Sequence, residues 1–359
     1  MDSARSVHEA ADPRFVAQLF RERAAELGAG LADRLIAADT GIRVRFGPRA
    51  HEDWRENFTN RILDLAAALD AGSADLFAAH AAWSAVAFSA RGVPLEDLRL
   101  SFEVMGRYLP REAASEDAGL VSEYIAKALL AVNGPTPASL PSLDPGTKHG
   151  RLAATYLVAV LEGDRARAAN VVFDAVADGL SVRDAYLNVL IPAQRELGRL
   201  WHLNELSIAE EHFGTATTQS VAARLAALAP RSPANGRTVI TACVEGNTHD
   251  LGVRILADFF EFAGWRSIVL GASVPAPDLG SAAADFHADV VALSAALPVH
   301  LTGVEGAIRA IRSSSSARII VGGTGFSGCE NSWQSLGADG YAVGLEEAVS
   351  LAARLVGIP

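Results

Sequence analysis

The chain is poor in cysteine, in positive charge and in long apolar runs. Its two cysteines, Cys243 and Cys329, cannot build a disulfide framework. No apolar run reaches the length of about eighteen residues that a membrane span requires, so none is expected. The opening residues Met1-Asp2-Ser3-Ala4-Arg5 lack a charged start ahead of an apolar core and do not read as a secretory signal. These absences point to a reducing, cytoplasmic setting. Lys and Arg number 31 against 42 Asp and Glu, leaving a net charge of −11 that disfavours broad binding to nucleic-acid phosphates. No helix-turn-helix with a basic recognition helix is apparent, and no G-x-G-x-x-G follows a candidate strand. What the chain has is bulk: 359 residues, half of them hydrophobic, suffice for two or three domains with cores of their own.

Hydrophobic periodicity divides that length. Residues 1–133 read as all-helical, with segments near Phe15–Ala37, Glu52–Leu69, Ala74–Phe88, Leu95–Tyr108 and Ala118–Val132. Arg43–Arg49 reads as a short basic loop. Residues 134–150, rich in proline, glycine and serine, read as a linker. Residues 151–229 read as a four-helix bundle, with helices near Arg151–Glu162, Arg165–Asp178, Ser181–His202 and Ser207–Leu228. Ser181 and Ser207 are expected N-caps, Ser207 forming a capping box with Glu210, and Pro192 is expected to kink the third helix. From 237 to 359 the pattern alternates. Strands are expected at Thr238–Cys243, Ser267–Leu270, Val290–Ser294, Arg318–Val321 and Gly340–Val343. Helices are expected near Leu251–Ala263, Ala276–Phe286, Val299–Ile311, Cys329–Leu336 and Leu345–Val356. The whole is an α plus α/β chain ending in a doubly wound, five-stranded parallel sheet of flavodoxin or Rossmann-like type, in the order 2-1-3-4-5.

In such a sheet, ligands bind at the carboxyl ends of the strands, where the turns after strands 1 and 3 flank a crevice. Strand 1 runs into Asn247-Thr248-His249-Asp250-Leu251-Gly252, strand 3 ends at Ser294, and strand 4 ends at Gly322-Gly323. An imidazole ligand, a small hydroxyl and glycines that admit close approach therefore converge on one edge. The set describes a slot lined by small residues with His249 as a metal ligand.

This constellation resembles the cobalamin-binding domain of corrinoid proteins over residues 151–359. That family carries Asp-x-His-x-x-Gly, a serine after strand 3 and Gly-Gly after strand 4, with a helical bundle as cap. The resemblance implies a corrin bound base-off, His249 as the lower axial cobalt ligand, and Asn247, Asp250, Gly252, Ser294, Gly322 and Gly323 about the cofactor. Asn247 stands where the family has a carboxylate. An amide can accept a hydrogen bond from the imidazole but brings no charge, which makes the cobalt–histidine bond less electron-rich and weakens the case for a methyl carrier. Within the bundle, Trp201 precedes Glu211-His212 with nine residues between. This resembles the Trp-x9-Glu-His signature of light-sensing, adenosylcobalamin-dependent regulators of the CarH type. It implies that Trp201, Glu211 and His212 line the adenosyl pocket and that His202 can capture cobalt once light removes the adenosyl group.

Plainer readings stand beside these. Trp201 alone is more often a core aromatic, His212 a helix histidine, and Glu211 part of a solvated face. His202 is either a later cobalt ligand or a surface residue, and Gly322-Gly323 could be ordinary turn glycines. Three functions follow. One is a cobalamin photoreceptor rather than an enzyme, acting as a homo-oligomer or through a protein partner of residues 1–133, with no direct nucleic-acid or membrane contact. The alternative is a corrinoid methyl carrier of a methyltransferase system, loaded with methylcobalamin. The third is a cobalamin-free module with zinc or no metal.

Overall fold

The computed structural model describes residues 13–134, 141–327, 329 and 331–358. The opening residues Met1–Arg5 and residues 135–140 of the expected linker lie outside them. The chain divides into two compact units, one N-terminal and one beginning within the proline-rich stretch.

The N-terminal unit is helical. Its helices are α1 (Pro13–Ala38), α2 (Gly41–Phe46), α3 (Ala50–Asp70), α4 (Ala74–Ala90), α5 (Leu95–Tyr108) and α6 (Ala118–Asn133). Trp54, Phe58, Phe77 and Phe102 form its buried aromatic centre. The expected basic loop at Arg43–Arg49 is instead α2 followed by a 3-10 turn. One of its arginines is tied back onto the helical unit. Arg45 binds Asp97 at 2.5 Å and Asp39 at 2.6 Å, while the Phe46 ring meets Trp54 edge-on at 5.4 Å. These partners lie up to 52 residues away, beyond the reach of a local pattern.

The second unit opens with the bundle: α7 (Lys148–Leu161), α8 (Arg165–Ala177), α9 (Val182–Ala185), α10 (Ile191–His202) and α11 (Ile208–Ala226). Helix α7 starts three residues earlier than expected, capped by the Thr147 hydroxyl. A π-helical turn at Tyr186–Leu190 joins α9 to α10. Pro192 has no N–H to give to the turn behind it, and the widened turn absorbs that loss. The Ser181 cap and the Ser207–Glu210 capping box both form.

The sheet follows: β1 (Thr238–Val244), α12 (Leu251–Phe262), β2 (Arg266–Val274), α13 (Ala276–Asp285), β3 (Val290–Ser294), α14 (Leu301–Ser314), β4 (Arg318–Gly322), α15 (Ser332–Leu336), β5 (Gly340–Ala342) and α16 (Leu345–Leu355). All pairings are parallel and the order is β2-β1-β3-β4-β5, as the alternating pattern predicted. Val239, Val290, Ala292 and Ile320 pack with Phe260 of α12 and with Ala348 and Ala352 of α16, so those two helices cover one face. Helix α12 has a second duty. Its Ile255, Phe259 and Phe262 enter the core of the bundle among Tyr186, Val189 and Leu190. Bundle and sheet thus share apolar volume through one amphipathic helix. Among the described residues no helix is long and apolar enough to cross a membrane.

Candidate functional site

The turn between β1 and α12 carries the candidate ligand. Asn247 is fully buried there, whereas His249 is exposed. Every polar group of Asn247 is engaged. Its N–H donates to Val244 O at 3.0 Å and its carbonyl accepts from Ser273 N–H at 2.9 Å. Its side-chain amide donates to Ser294 O at 2.9 Å. Its Oδ1 faces the His249 backbone N–H at 3.1 Å and the imidazole Nδ1 at 3.3 Å. Because the amide nitrogen is committed to a carbonyl, the oxygen must face the ring. Nδ1 then carries the proton and Nε2 keeps its lone pair for a metal. Asn247 therefore supplies the orientation expected of a carboxylate, without its charge.

Ser273 was not legible as a site residue. Its hydroxyl accepts from Gly246 N–H at 3.0 Å and its own N–H donates to Asn247 O, so the end of β2 straps the histidine turn. It does so with φ +48, a left-handed conformation uncommon for any residue but glycine. The strand was expected to stop at Leu270. The irregular register beyond Thr241 carries it to Val274 instead.

Parallel pairing sets Cys243, Ser294, Gly322 and Ala342 in one row across four strands. By strand alternation this row lies on the face covered by α12 and α16. Four small residues in a row put little side-chain bulk at the carboxyl edge. The glycines in it are required. A Cβ on Gly322 would stand 2.7 Å from Ala342 O, and one on Gly323, whose φ is +103, would stand 2.3 Å from Ala295 O. Two steps in from Cys243 on the same face, Thr241 Oγ1 is buried with no hydrogen-bond partner among the described residues. Burial, and after it the Asp250 charge, pushes the Cys243 thiol up to about 12, so it stands in the wall as a neutral thiol.

Asp250 is drawn to the side. It binds Arg254 at 2.7 Å and accepts from Gln219 of α11 at 3.1 Å, tying the histidine turn to the bundle. Gly252, exposed in the first turn of α12, has open space where a side chain would stand. On the bundle, Trp201 and His202 end α10, Glu211 stands in the first turn of α11 and His212 directly after it. His202 is buried rather than a surface residue, Trp201 is half-buried, and His212 is exposed. Glu211 Oε1 accepts from the Thr215 hydroxyl at 2.7 Å. Apolar side chains stand exposed nearby in the chain, Ile208 and Phe213 on α11, and others, Leu297 and Val343, just past β3 and β5.

These features fit a corrinoid. One imidazole with a fixed lone pair offers a single axial ligand. A slot of small residues with an unpartnered hydroxyl suits a polar tail, and apolar side chains suit a macrocycle. A self-standing metal site is not supported, because among the described residues no three His, Cys, Asp or Glu side chains converge.

Comparison with known proteins agrees. A family model described as the B12 binding domain matches residues 237–352, and a second model of the same description matches residues 152–226. A corrinoid protein of Desulfitobacterium hafniense (strain Y51) is 26% identical over 55% of this chain and 94% of its own length. The HTH-type transcriptional repressor CarA of Myxococcus xanthus is 35% identical over 54% of this chain and 64% of its own. The solved structure of the monomethylamine corrinoid protein of Methanosarcina barkeri superposes with a TM-score of 0.51 at 18% identity, covering 57% of this chain and 98% of that one, a likeness of fold alone. The chain belongs to the B12-binding proteins and is related to the CarA and CarH regulators.

Proposed function

We propose that this protein is a light sensor that carries adenosylcobalamin base-off under the bundle, with His249 Nε2 as the lower axial ligand to cobalt. The observation that carries the reading is the fixed imidazole. The Asn247 amide, committed to Ser294 O, turns the free lone pair of His249 outward at the mouth of a small-residue slot. The Trp201, Glu211 and His212 arrangement supports the adenosyl form. When bound, the cofactor supplies a cobalt–carbon bond that visible light breaks. The protein's residues do the rest. Asn247 holds the ligand tautomer, the row Cys243, Ser294, Gly322 and Ala342 makes room for the nucleotide tail, the Trp201 indole excludes water, and Glu211 accepts hydrogen bonds from hydroxyl groups. His202 is the residue to take the upper position once it is vacated. Because His202 is buried, that step must move the end of α10, giving the bundle two states. The output is a change of self-association or of a protein partner reading residues 1–133, in the cytoplasm, without direct DNA contact and without catalysis.

The test is reconstitution with adenosylcobalamin in the dark, followed by green light. The reading requires a spectral change on illumination that persists after free cofactor has been removed, so that it belongs to cofactor the protein holds. A bound cofactor whose spectrum ignores light would defeat it. A second reading, a methyl carrier of a methyltransferase system, is favoured by the match along 94% of a corrinoid protein. Methyl transfer from a donor to this protein, with no preference for the adenosyl form, would establish it.

A further inference from the structure

Glu211 does not stand alone in the cap. The Gln194 side-chain amide of α10 donates to Thr215 Oγ1 of α11 at 2.6 Å, and the Thr215 hydroxyl donates to Glu211 Oε1 at 2.7 Å. A threonine hydroxyl has one proton. Since that proton goes to the carboxylate, Gln194 must present its NH2 to Thr215, and its orientation is fixed. Two consequences follow. The carboxylate is held by one oxygen, leaving Oε2, which lies 3.7 Å from His212 Nε2, to accept from elsewhere. Gln194 Oε1 is left buried with no hydrogen-bond partner among the described residues. A buried acceptor without a donor is costly, on the order of a lost hydrogen bond or more, unless a ligand supplies one.

We propose that Gln194 and Thr215 are positioning residues that aim Glu211 and make this cap select an upper ligand bearing hydroxyl or amino donors, such as the adenosyl group, over a methyl group. The proposal rests on the cobalamin reading above. The relay joins α10 to α11 one turn from the carboxylate it directs, and it leaves one oxygen of Glu211 to accept from a ligand. A methyl ligand brings no donor to it. A site that presents a fixed acceptor discriminates against a ligand that leaves it unpaired.

The experiment measures dissociation constants for adenosylcobalamin and methylcobalamin, in the dark, on the full chain and on three variants: Thr215→Val, Thr215→Ser and Gln194→Leu. Thr215→Val keeps the shape and removes the hydroxyl. It should weaken adenosylcobalamin about tenfold and leave methylcobalamin within about twofold. Thr215→Ser should restore the preference. Gln194→Leu should shift the ratio in the same direction by a smaller factor, and it serves in place of Thr215→Val if that variant fails to fold. Equal weakening of both cobalamins, or an unchanged ratio, overturns the relay while leaving cobalamin binding intact. Wild-type protein that takes up neither cobalamin overturns the proposal together with the reading beneath it.

Discussion

In the proposed reading the imidazole of His249 is oriented by Asn247, whose amide oxygen faces the ring while its nitrogen is anchored on Ser294 O. An alanine at 247 would remove the acceptor for Nδ1 and the bond to Ser294 O at once. Asn247→Ala is therefore expected to weaken cobalamin uptake about tenfold to a hundredfold, the usual effect of losing the partner of a ligating histidine, as equilibrium dialysis would measure. The glycine next along the edge is constrained by sterics. Gly323→Ala places a methyl group 2.3 Å from Ala295 O at a φ of +103. It should cost about 1–3 kcal/mol in urea unfolding and narrow the slot, so that uptake falls with stability. An alanine there that left both unchanged would show that the glycine is incidental. His249, Ser294 and the glycine pair could be found from the sequence because each sits at the end of a strand whose pattern is local. Ser273 could not, because its role depends on a register irregularity in β2 and on a left-handed backbone that no side-chain pattern announces.

At the scale of elements, α12 decides how bundle and sheet communicate. Its Asp258 meets Tyr186 of the bundle at 2.6 Å, and the same Tyr186 hydroxyl lies 2.6 Å from Ala222 O. One phenolic proton cannot serve two acceptors. When protonated, Asp258 resolves this by donating to Tyr186, which then donates to Ala222 O. Burial, opposed by the Tyr186 hydrogen bond and the Arg231 charge and aided by the Glu261 charge, raises Asp258 to about 6 from an ordinary 3.8. The folded state therefore holds this proton more tightly than the unfolded chain. Stability from this contact is full below about pH 4 and falls as pH rises through about 6. Asp258→Asn should flatten the change in melting temperature across that window, and a variant with the wild-type slope would refute the assignment. The start of α11 is a second exposed point. Ser207→Ala breaks the capping box, costs about 1 kcal/mol, and loosens the turn that carries Glu211 and His212. Amide exchange in that turn should rise while exchange in β1 stays slow. The helices and strands themselves were largely readable from period and punctuation. Arg43–Arg49 was not, because the carboxylates that fold it, Asp39 and above all Asp97, come from other elements.

For the whole molecule, the same logic separates the two units. Ligand binding stabilises the unit that binds, by about 2.7 kcal/mol at a hundredfold excess over the dissociation constant. Calorimetry with and without adenosylcobalamin should move the transition of the second unit upward, and a transition that stays in place would contradict cobalamin binding there. The sheet order followed from counting alternating elements. The row Cys243, Ser294, Gly322 and Ala342 did not, since it exists only once four strands are in register.

The account rests on a bond between His249 and cobalt, and electron paramagnetic resonance reads that bond directly. The protein would be grown with 15N-histidine, loaded with unlabelled cobalamin, and the cobalt brought to its one-electron-reduced, paramagnetic state. Axial coordination by a protein 15N should split each cobalt line into two, and His249→Ala should abolish that splitting. Lines split into three by the cofactor's own 14N base, in the wild-type protein, would contradict the account.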